Sequence, residues 1–286
     1  MSNPSTPPAQ TVLVTGGTGG IGFITARELA RPGRRVVIVG RNPQRAAAAV
    51  EAIQSQTRNP DVHALIADLS SLAAVRALAD EFQRRFDRLD VLVNNAGAFF
   101  AQRQVSIDGL EMTFALNHMA YFLLTHRLLD LLKASPAGRI VNVSSAAHAT
   151  AHLNFDDLQN ERRYFGWNVY SQSKLANLYF TYSLARRLPP NGPTVNALHP
   201  GFVATNFGHT PGLIGQFIRL SQFAAIPPEQ GARTSIHLAS SPEVAGITGR
   251  YFSNSKAVRS SPVSYNENAA ERLWQISADL AGVPAD

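Results

Sequence analysis

Short runs of β-branched and apolar residues alternate along the chain with longer stretches in which apolar residues recur every three or four positions. The runs at residues 11–15, 35–39, 62–66, 90–93, 139–143 and 194–198 are almost wholly apolar, as strands covered on both faces are. Between them the period lengthens. Residues 23–29 have a helical pattern, and a second helix opens at Ser70 or Ser71 with Leu72, Val75, Leu78, Phe82 and Phe86 on one face. Residues 114–125 form a mostly apolar helix, and residues 169–188 a long one stopped by Pro189-Pro190. Residues 229–238 and 266–280 read as closing helices and residues 250–252 as a last strand. Strands separated by helices pair in parallel, because each crossover carries the chain back to the same edge. The pattern predicts one doubly wound α/β domain over residues 11–286, with a mainly parallel seven-stranded sheet and helices on both faces.

In such a sheet, ligands bind where the carboxyl ends of the strands open into a crevice, so the residues after each strand carry the functional information. After the first strand come Thr15-Gly16-Gly17-Thr18-Gly19-Gly20-Ile21-Gly22 and then a helix. Free N–H groups and the helix dipole converge there on an anion, and a pyrophosphate fits; the domain is therefore of Rossmann type. The second strand ends at Gly40-Arg41-Asn42, and no carboxylate stands in residues 36–50. An acidic residue at this point would hold the ribose 2′-hydroxyl of NAD, whereas an arginine accommodates a 2′-phosphate. Arg41, with Arg45 one turn on, thus favours NADP(H). Asp68-Leu69 follows the third strand at the adenine position, and Asn94-Asn95-Ala96-Gly97 closes the fourth. Asn117 is a polar amide inside an apolar helix, which must satisfy backbone groups or hold a water. The fifth strand ends in Ser144-Ser145, and residues 146–169 mix polar and aromatic side chains as an ordered insertion beside the site would. Tyr170 and Lys174 stand four apart at the start of the long helix, hence on one face. A cation beside a phenol favours phenolate and lowers its pKa, the tuning that acid/base catalysis requires. The sixth strand empties into His199-Pro200-Gly201, and residues 202–227 are apolar and glycine-interrupted, read either as a substrate lid or as one more core helix.

Composition narrows the function. The 286-residue chain has no cysteine, which removes disulfides, thiolate metal sites and a cysteine nucleophile, and its histidines show no metal-ligand spacing. Its formal charge of +6 comes from scattered arginines with no basic, aromatic-interleaved stripe, so nucleic acid is not an expected partner. Apolar runs are too short for a membrane span, and residues 1–10 are polar and proline-rich, as in a disordered leader on a cytoplasmic protein without a membrane anchor.

Taken together, Thr15-Gly16-x-x-x-Gly20-Ile21-Gly22, Asp68-Leu69, Asn94-Asn95-Ala96-Gly97, Asn117, Val143-Ser144-Ser145, Tyr170-x-x-x-Lys174 and Pro200-Gly201 with Thr205 resemble the short-chain dehydrogenase/reductase family. The insertion and the Gly249-Arg250-Tyr251-Phe252 ending resemble its retinol-dehydrogenase-like branch, which acts on lipophilic alcohols and carbonyls, generally with NADP(H). The resemblance implies that Tyr170 exchanges a proton with the substrate oxygen and that Lys174 lowers its pKa and holds the nicotinamide ribose. Ser145, with Ser144 as the alternative, would bond the same oxygen, and Asn117 would position a water. Gly16, Thr18, Gly20, Ile21 and Gly22 would line the pyrophosphate, Arg41 the 2′-phosphate, and Asp68 and Leu69 the adenine. Asn95, Ala96 and Gly97 would line the ribose, and Pro200, Gly201, Val203 and Thr205 the nicotinamide. The expected activity is NADP(H)-dependent carbonyl–alcohol interconversion on a small or medium apolar substrate, in a homodimer or homotetramer. Reduction of a conjugated carbon–carbon double bond, or NADP sensing without turnover, are the alternatives.

Overall fold

The computed structural model describes residues 10–201 and 226–285. Strands β1 (Gln10–Thr15), β2 (Arg34–Gly40), β3 (Val62–Ile66), β4 (Val91–Asn94), β5 (Arg139–Val143), β6 (Thr194–His199) and β7 (Tyr251–Ser253) pair in parallel. They are ordered β3-β2-β1-β4-β5-β6-β7, so the direction of winding reverses between β1 and β4. Helices α1 (Gly20–Leu29), α2 (Pro43–Thr57), α3 (Leu72–Arg85), α4 (Met112–Phe114), α5 (Ala120–Ala134), α6 (Gly166–Arg187), α7 (Pro228–Ser240) and α8 (Glu267–Ala281) lie on the two faces.

Period-two alternation divides the core. Leu13, Val37, Leu65, Leu92 and Ile140 join the layer that contains α3, α5, α6 and α8, while Val12, Val14, Val36, Ile38, Val93 and Val141 join that of α1, α2 and α7. The apolar residues of β1 to β5 are covered on both faces, which is why their runs read as continuous rather than alternating. Gln10, assigned to the leader, is the first residue of β1; residues 1–9 lie outside the described residues. Among the described residues, no helix is long and apolar enough to cross a membrane.

Among the described residues the sheet has eight strands, not seven. Asn254 and Ser255 both adopt left-handed backbone, with φ of 50° and 60°, and fold β8 (Lys256–Val258) back antiparallel onto β7. A two-residue loop needs this geometry to match strand twist. All three residues of β8 are exposed, so the strand leaves no apolar run in the sequence.

A second difference bears on the site. The helix expected over residues 114–125 is α-helical only at its ends, and residues Ala115–Met119, around Asn117, form a π-helical segment. Such segments insert one extra residue per turn and recur at functional sites. A buried polar ladder then fixes the helices on the sheet. Asn94 Nδ2 on β4 donates to Thr125 Oγ1 on α5 (2.9 Å) and to Asn142 Oδ1 on β5 (2.9 Å), and Asn142 Nδ2 donates to Thr181 Oγ1 on α6 (3.0 Å). On the outer side of α5 and α6, Trp274 of α8 packs against Phe122 and Phe180 at centroid distances of 5.0 and 5.9 Å.

Candidate active site

At the reversal between β1 and β4, two loops are locked together. Thr15 Oγ1 accepts the N–H groups of Asn95 (2.9 Å) and Ala96 (3.0 Å), while Asn95 Nδ2 donates to Thr15 O (2.8 Å). Gly16 needs its left-handed φ of 67°, and Gly22 sits so near it that a Cβ would lie 2.3 Å from Gly16 O. Helix α1 begins on Gly19 with no side-chain cap and no acidic residue in its first turn. The first-turn N–H groups therefore have no side-chain acceptor, which fits a pyrophosphate. Gly22→Ala should lower the melting temperature and weaken dinucleotide binding together, since the clash is with backbone; about 1–3 kcal/mol of stability is at stake. Thermal melts and a fluorescence titration with NADPH check this.

The other predicted cofactor residues are distributed unevenly around this loop. Thr18 packs on Gly40, where a Cβ would come 2.4 Å from its Cγ2. Ile21 turns its side chain into a small cluster with Ile24 and Ala232, leaving its backbone for the crevice. Arg41 is exposed just beyond β2. Asn42 caps α2 by accepting the Arg45 N–H (2.9 Å), and Arg45 extends back until its Nη2 is 3.3 Å from the place a Gly19 Cβ would occupy. Asp68 accepts from the Ser70 N–H (3.0 Å) and Oγ (2.7 Å), so it leads the turn into α3, for which Ser71 is the cap. Leu69 is buried in the core, and any contact it makes with an adenine is through its backbone.

Across the crevice, α6 is buried around most of its circumference, with Tyr170 8% and Lys174 3% exposed. Lys174 Nζ donates to Val143 O at 3.2 Å and lies 5.5 Å from the centroid of the Tyr170 ring. The Ser145 side chain stands by the Tyr170 hydroxyl and favours its ionised form. Ser144 does not compete for this place: it is buried, and its Oγ donates to Lys174 O (2.8 Å), tying β5 to α6. Asn117 Oδ1 accepts the Ala98 N–H (2.9 Å) and its Nδ2 donates to Ala98 O (3.0 Å) and Ser173 Oγ (3.0 Å). Its amide thus satisfies backbone groups, holding the loop that follows Gly97 against α6. A Cβ on Gly97 would stand 3.1 Å from Asn117 Oδ1 and 3.5 Å from Lys174 Nζ, so glycine keeps this approach open.

The electrostatics depart from the expectation for a Tyr–Lys pair. Burial pushes the Tyr170 phenol up to about 12, with the Ser145 side chain opposing the rise, and burial pulls Lys174 down to about 8. Desolvation outweighs the attraction that the i, i+4 spacing promised, because Lys174 is directed to a carbonyl rather than to the phenol oxygen. At neutral pH the cluster comprises a phenol ready to donate and a cation beside it.

Aromatic side chains wall the tyrosine. Phe99 meets its ring edge-on at 6.2 Å and Trp167 lies at 5.9 Å, with Trp167 50% and Phe165 58% exposed. The insertion at residues 146–169 is ordered and packs on the loop after β4: Tyr164 Oη donates to Phe100 O (2.9 Å), and the Glu111 N–H donates to Gln159 Oε1 (2.7 Å). Pro200 and Gly201 follow β6, and Gly201 has a left-handed φ of 91° beside Ile226. Val203, Thr205 and residues 202–225 of the expected lid lie outside the described residues.

A family model for short chain dehydrogenase matches residues 10–211. The chain belongs to the short-chain dehydrogenase family. It is an oxidoreductase of this family and resembles its retinol dehydrogenases. Retinol dehydrogenase 14 of Homo sapiens is 44% identical, with 96% of this chain and 87% of that protein covered. Polyprenol dehydrogenase of Homo sapiens is 40% identical, covering 96% and 86%. Among solved structures, a short chain dehydrogenase from Burkholderia cenocepacia in complex with NADP superposes with a TM-score of 0.68 at 29% identity, covering 86% of this chain and 96% of that one. Family membership brings a nicotinamide cofactor, which the uncapped glycine loop fits. Sequence reasoning did not single out Phe99 or the approach of Arg45 to Gly19. The signals available were the aromatic pair Phe99-Phe100 directly after Asn94-Asn95-Ala96-Gly97 and the Asn42 cap that fixes the start of α2.

Proposed function

We propose that the protein interconverts a carbonyl and an alcohol on a small or medium apolar substrate, using NADP(H) in preference to NAD(H), with Tyr170 as general acid and base. The observation that carries this reading is the cluster of buried Tyr170 and Lys174 with half-buried Ser145 at the carboxyl edge of the sheet, walled by Phe99 and Trp167. The names of relatives that specify retinol and polyprenol, both lipophilic alcohols, support the same substrate class.

A bound nicotinamide supplies hydride to the carbonyl carbon, or accepts it in the reverse direction. Tyr170 donates its phenolic proton to the carbonyl oxygen, and Ser145 donates a hydrogen bond to that oxygen as charge builds on it. The phenolate charge left behind develops next to the Lys174 cation, where attraction offsets the cost of burial. Asn117 keeps the Ala98 backbone, and so the floor of the site, in register with α6. Phe99 and Trp167 exclude water and bind an apolar chain.

For the cofactor, Arg41 and Arg45 stand at the end of β2 and over the glycine loop, where the sequence offers a 2′-phosphate two guanidinium groups and no opposing carboxylate. Replacing both arginines by alanine should weaken NADPH binding about 10–100-fold while leaving NADH within about twofold, because charge-assisted hydrogen bonds contribute about 1.5–3 kcal/mol. Parallel fluorescence titrations test it, and an equal loss for the two cofactors would refute it. Incubation with NADPH and a panel of lipophilic aldehydes and ketones, following loss of reduced nicotinamide, tests the activity itself. An α,β-unsaturated ketone in that panel should give the allylic alcohol; a saturated ketone would point to double-bond reduction.

A further inference from the structure

One buried histidine outside the tyrosine cluster has both ring nitrogens engaged next to the reacting groups. His148 is 3% exposed, with Nδ1 2.6 Å from Ser145 O and Nε2 3.0 Å from the Ser261 nitrogen. A backbone N–H can only donate, so Nε2 accepts and Nδ1 carries the proton, which fixes one neutral tautomer. Burial, which holds the His148 pKa below its ordinary value, favours that neutral form, and the Tyr251 ring packs edge-on against it at 5.0 Å. The turn after Ser145 is gripped a second time from β6, where His199 Nδ1 accepts the Ala146 N–H (3.2 Å).

The far end of the clamp leads back to the catalytic helix. Ser261 O accepts from Ser264 Oγ (2.6 Å), Ser264 Oγ bonds Ser260 Oγ (2.6 Å), and Ser260 Oγ bonds the Tyr182 hydroxyl (2.7 Å). Tyr182 lies on α6, three turns after Tyr170. We propose that His148 is a positioning residue that sets the Ser145 hydroxyl against Tyr170 by joining the Ser145 carbonyl to the 260–264 segment anchored on α6. The inference rests on the acid/base reading given under Proposed function. Ser145 sits in extended backbone between the end of β5 and a 3-10 turn, and its side chain already accepts the Ala147 N–H (3.2 Å). Its direction is therefore governed by how the carbonyl and the following turn are held, and a displacement of about 1 Å at reacting groups can cost ~100-fold.

The test is a double-mutant cycle in the full chain. His148→Leu, close in volume and without hydrogen bonds, should lower kcat about 10–100-fold with KM and NADPH affinity within about twofold. His148→Asn, whose amide N–H can replace Nδ1–H toward Ser145 O, should recover a large part of that loss. In a Ser145→Ala background, His148→Leu should reduce kcat no further, because its effect passes through Ser145. Wild-type kcat in His148→Leu, equal losses in the Leu and Asn variants, or additive losses with Ser145→Ala would each overturn the proposal while leaving the acid/base reading intact. No turnover by the wild type would overturn both.

Discussion

Tyr170→Phe should lower kcat for carbonyl reduction by about 10³-fold while NADPH still binds with near wild-type affinity. The substitution removes one oxygen and keeps the ring that packs with Phe99 and Trp167, so a loss of this size is a loss of proton transfer. The pH dependence follows from the phenol's position at about 12. Below that value Tyr170 is protonated, so reduction has its acid in place throughout the neutral range. Alcohol oxidation needs the phenolate, whose fraction grows tenfold per pH unit below the pKa, so its rate should climb steeply between about pH 6 and 8. Steady-state rates in both directions against pH check this; an oxidation rate that is flat over that range would mean another base takes the proton.

Lys174→Met should lower kcat about 100-fold and raise the melting temperature at neutral pH. Burial moves Lys174 from 10.5 down to about 8, so the folded state binds its proton more weakly than the unfolded state does. The destabilisation is fully present below pH 8 and disappears as pH rises toward 10.5. A shift of that size corresponds to ~3 kcal/mol, and loss of the hydrogen bond to Val143 O takes back ~1 kcal/mol. A net gain of about 2 kcal/mol amounts to several degrees in a domain of this size, and it should vanish when the melts are repeated near pH 10. A variant that melts below the wild type at pH 7 would show that Lys174 serves the fold. A gain in stability on removing the cation would mark Lys174 as a group kept for chemistry, which often costs stability.

Much of this arrangement was legible in the sequence because its signals were local. Apolar runs ending in Gly16, Asn94, Ser144 and His199 gave the parallel strands, and glycines at fixed offsets gave the dinucleotide turn. The i, i+4 spacing placed Tyr170 and Lys174 on one helix face. What was not legible depends on packing between distant segments. The eighth strand is an exposed three-residue edge created by a left-handed Asn254-Ser255 turn, and an edge needs no apolar run. The π-helical turn at Asn117 goes with hydrogen bonds to the Ala98 backbone, 19 residues away in sequence. The choice between Ser144 and Ser145 required knowing that Lys174 O lies within reach of the former. The sign of the Tyr170 shift was misread for a related reason: sequence spacing gives the distance to a charge but not the depth of burial that competes with it.

On the proposed reaction, hydride and proton both reach a carbonyl at Tyr170. The most direct measurement uses NADPH deuterated at its transferring carbon with a lipophilic α,β-unsaturated aldehyde, analysing products by mass spectrometry and NMR. The expected product is an allylic alcohol with deuterium on the carbinol carbon, formed by the wild type and almost absent with Tyr170→Phe. Deuterium on the β-carbon of a saturated aldehyde, or full turnover by Tyr170→Phe, would contradict it.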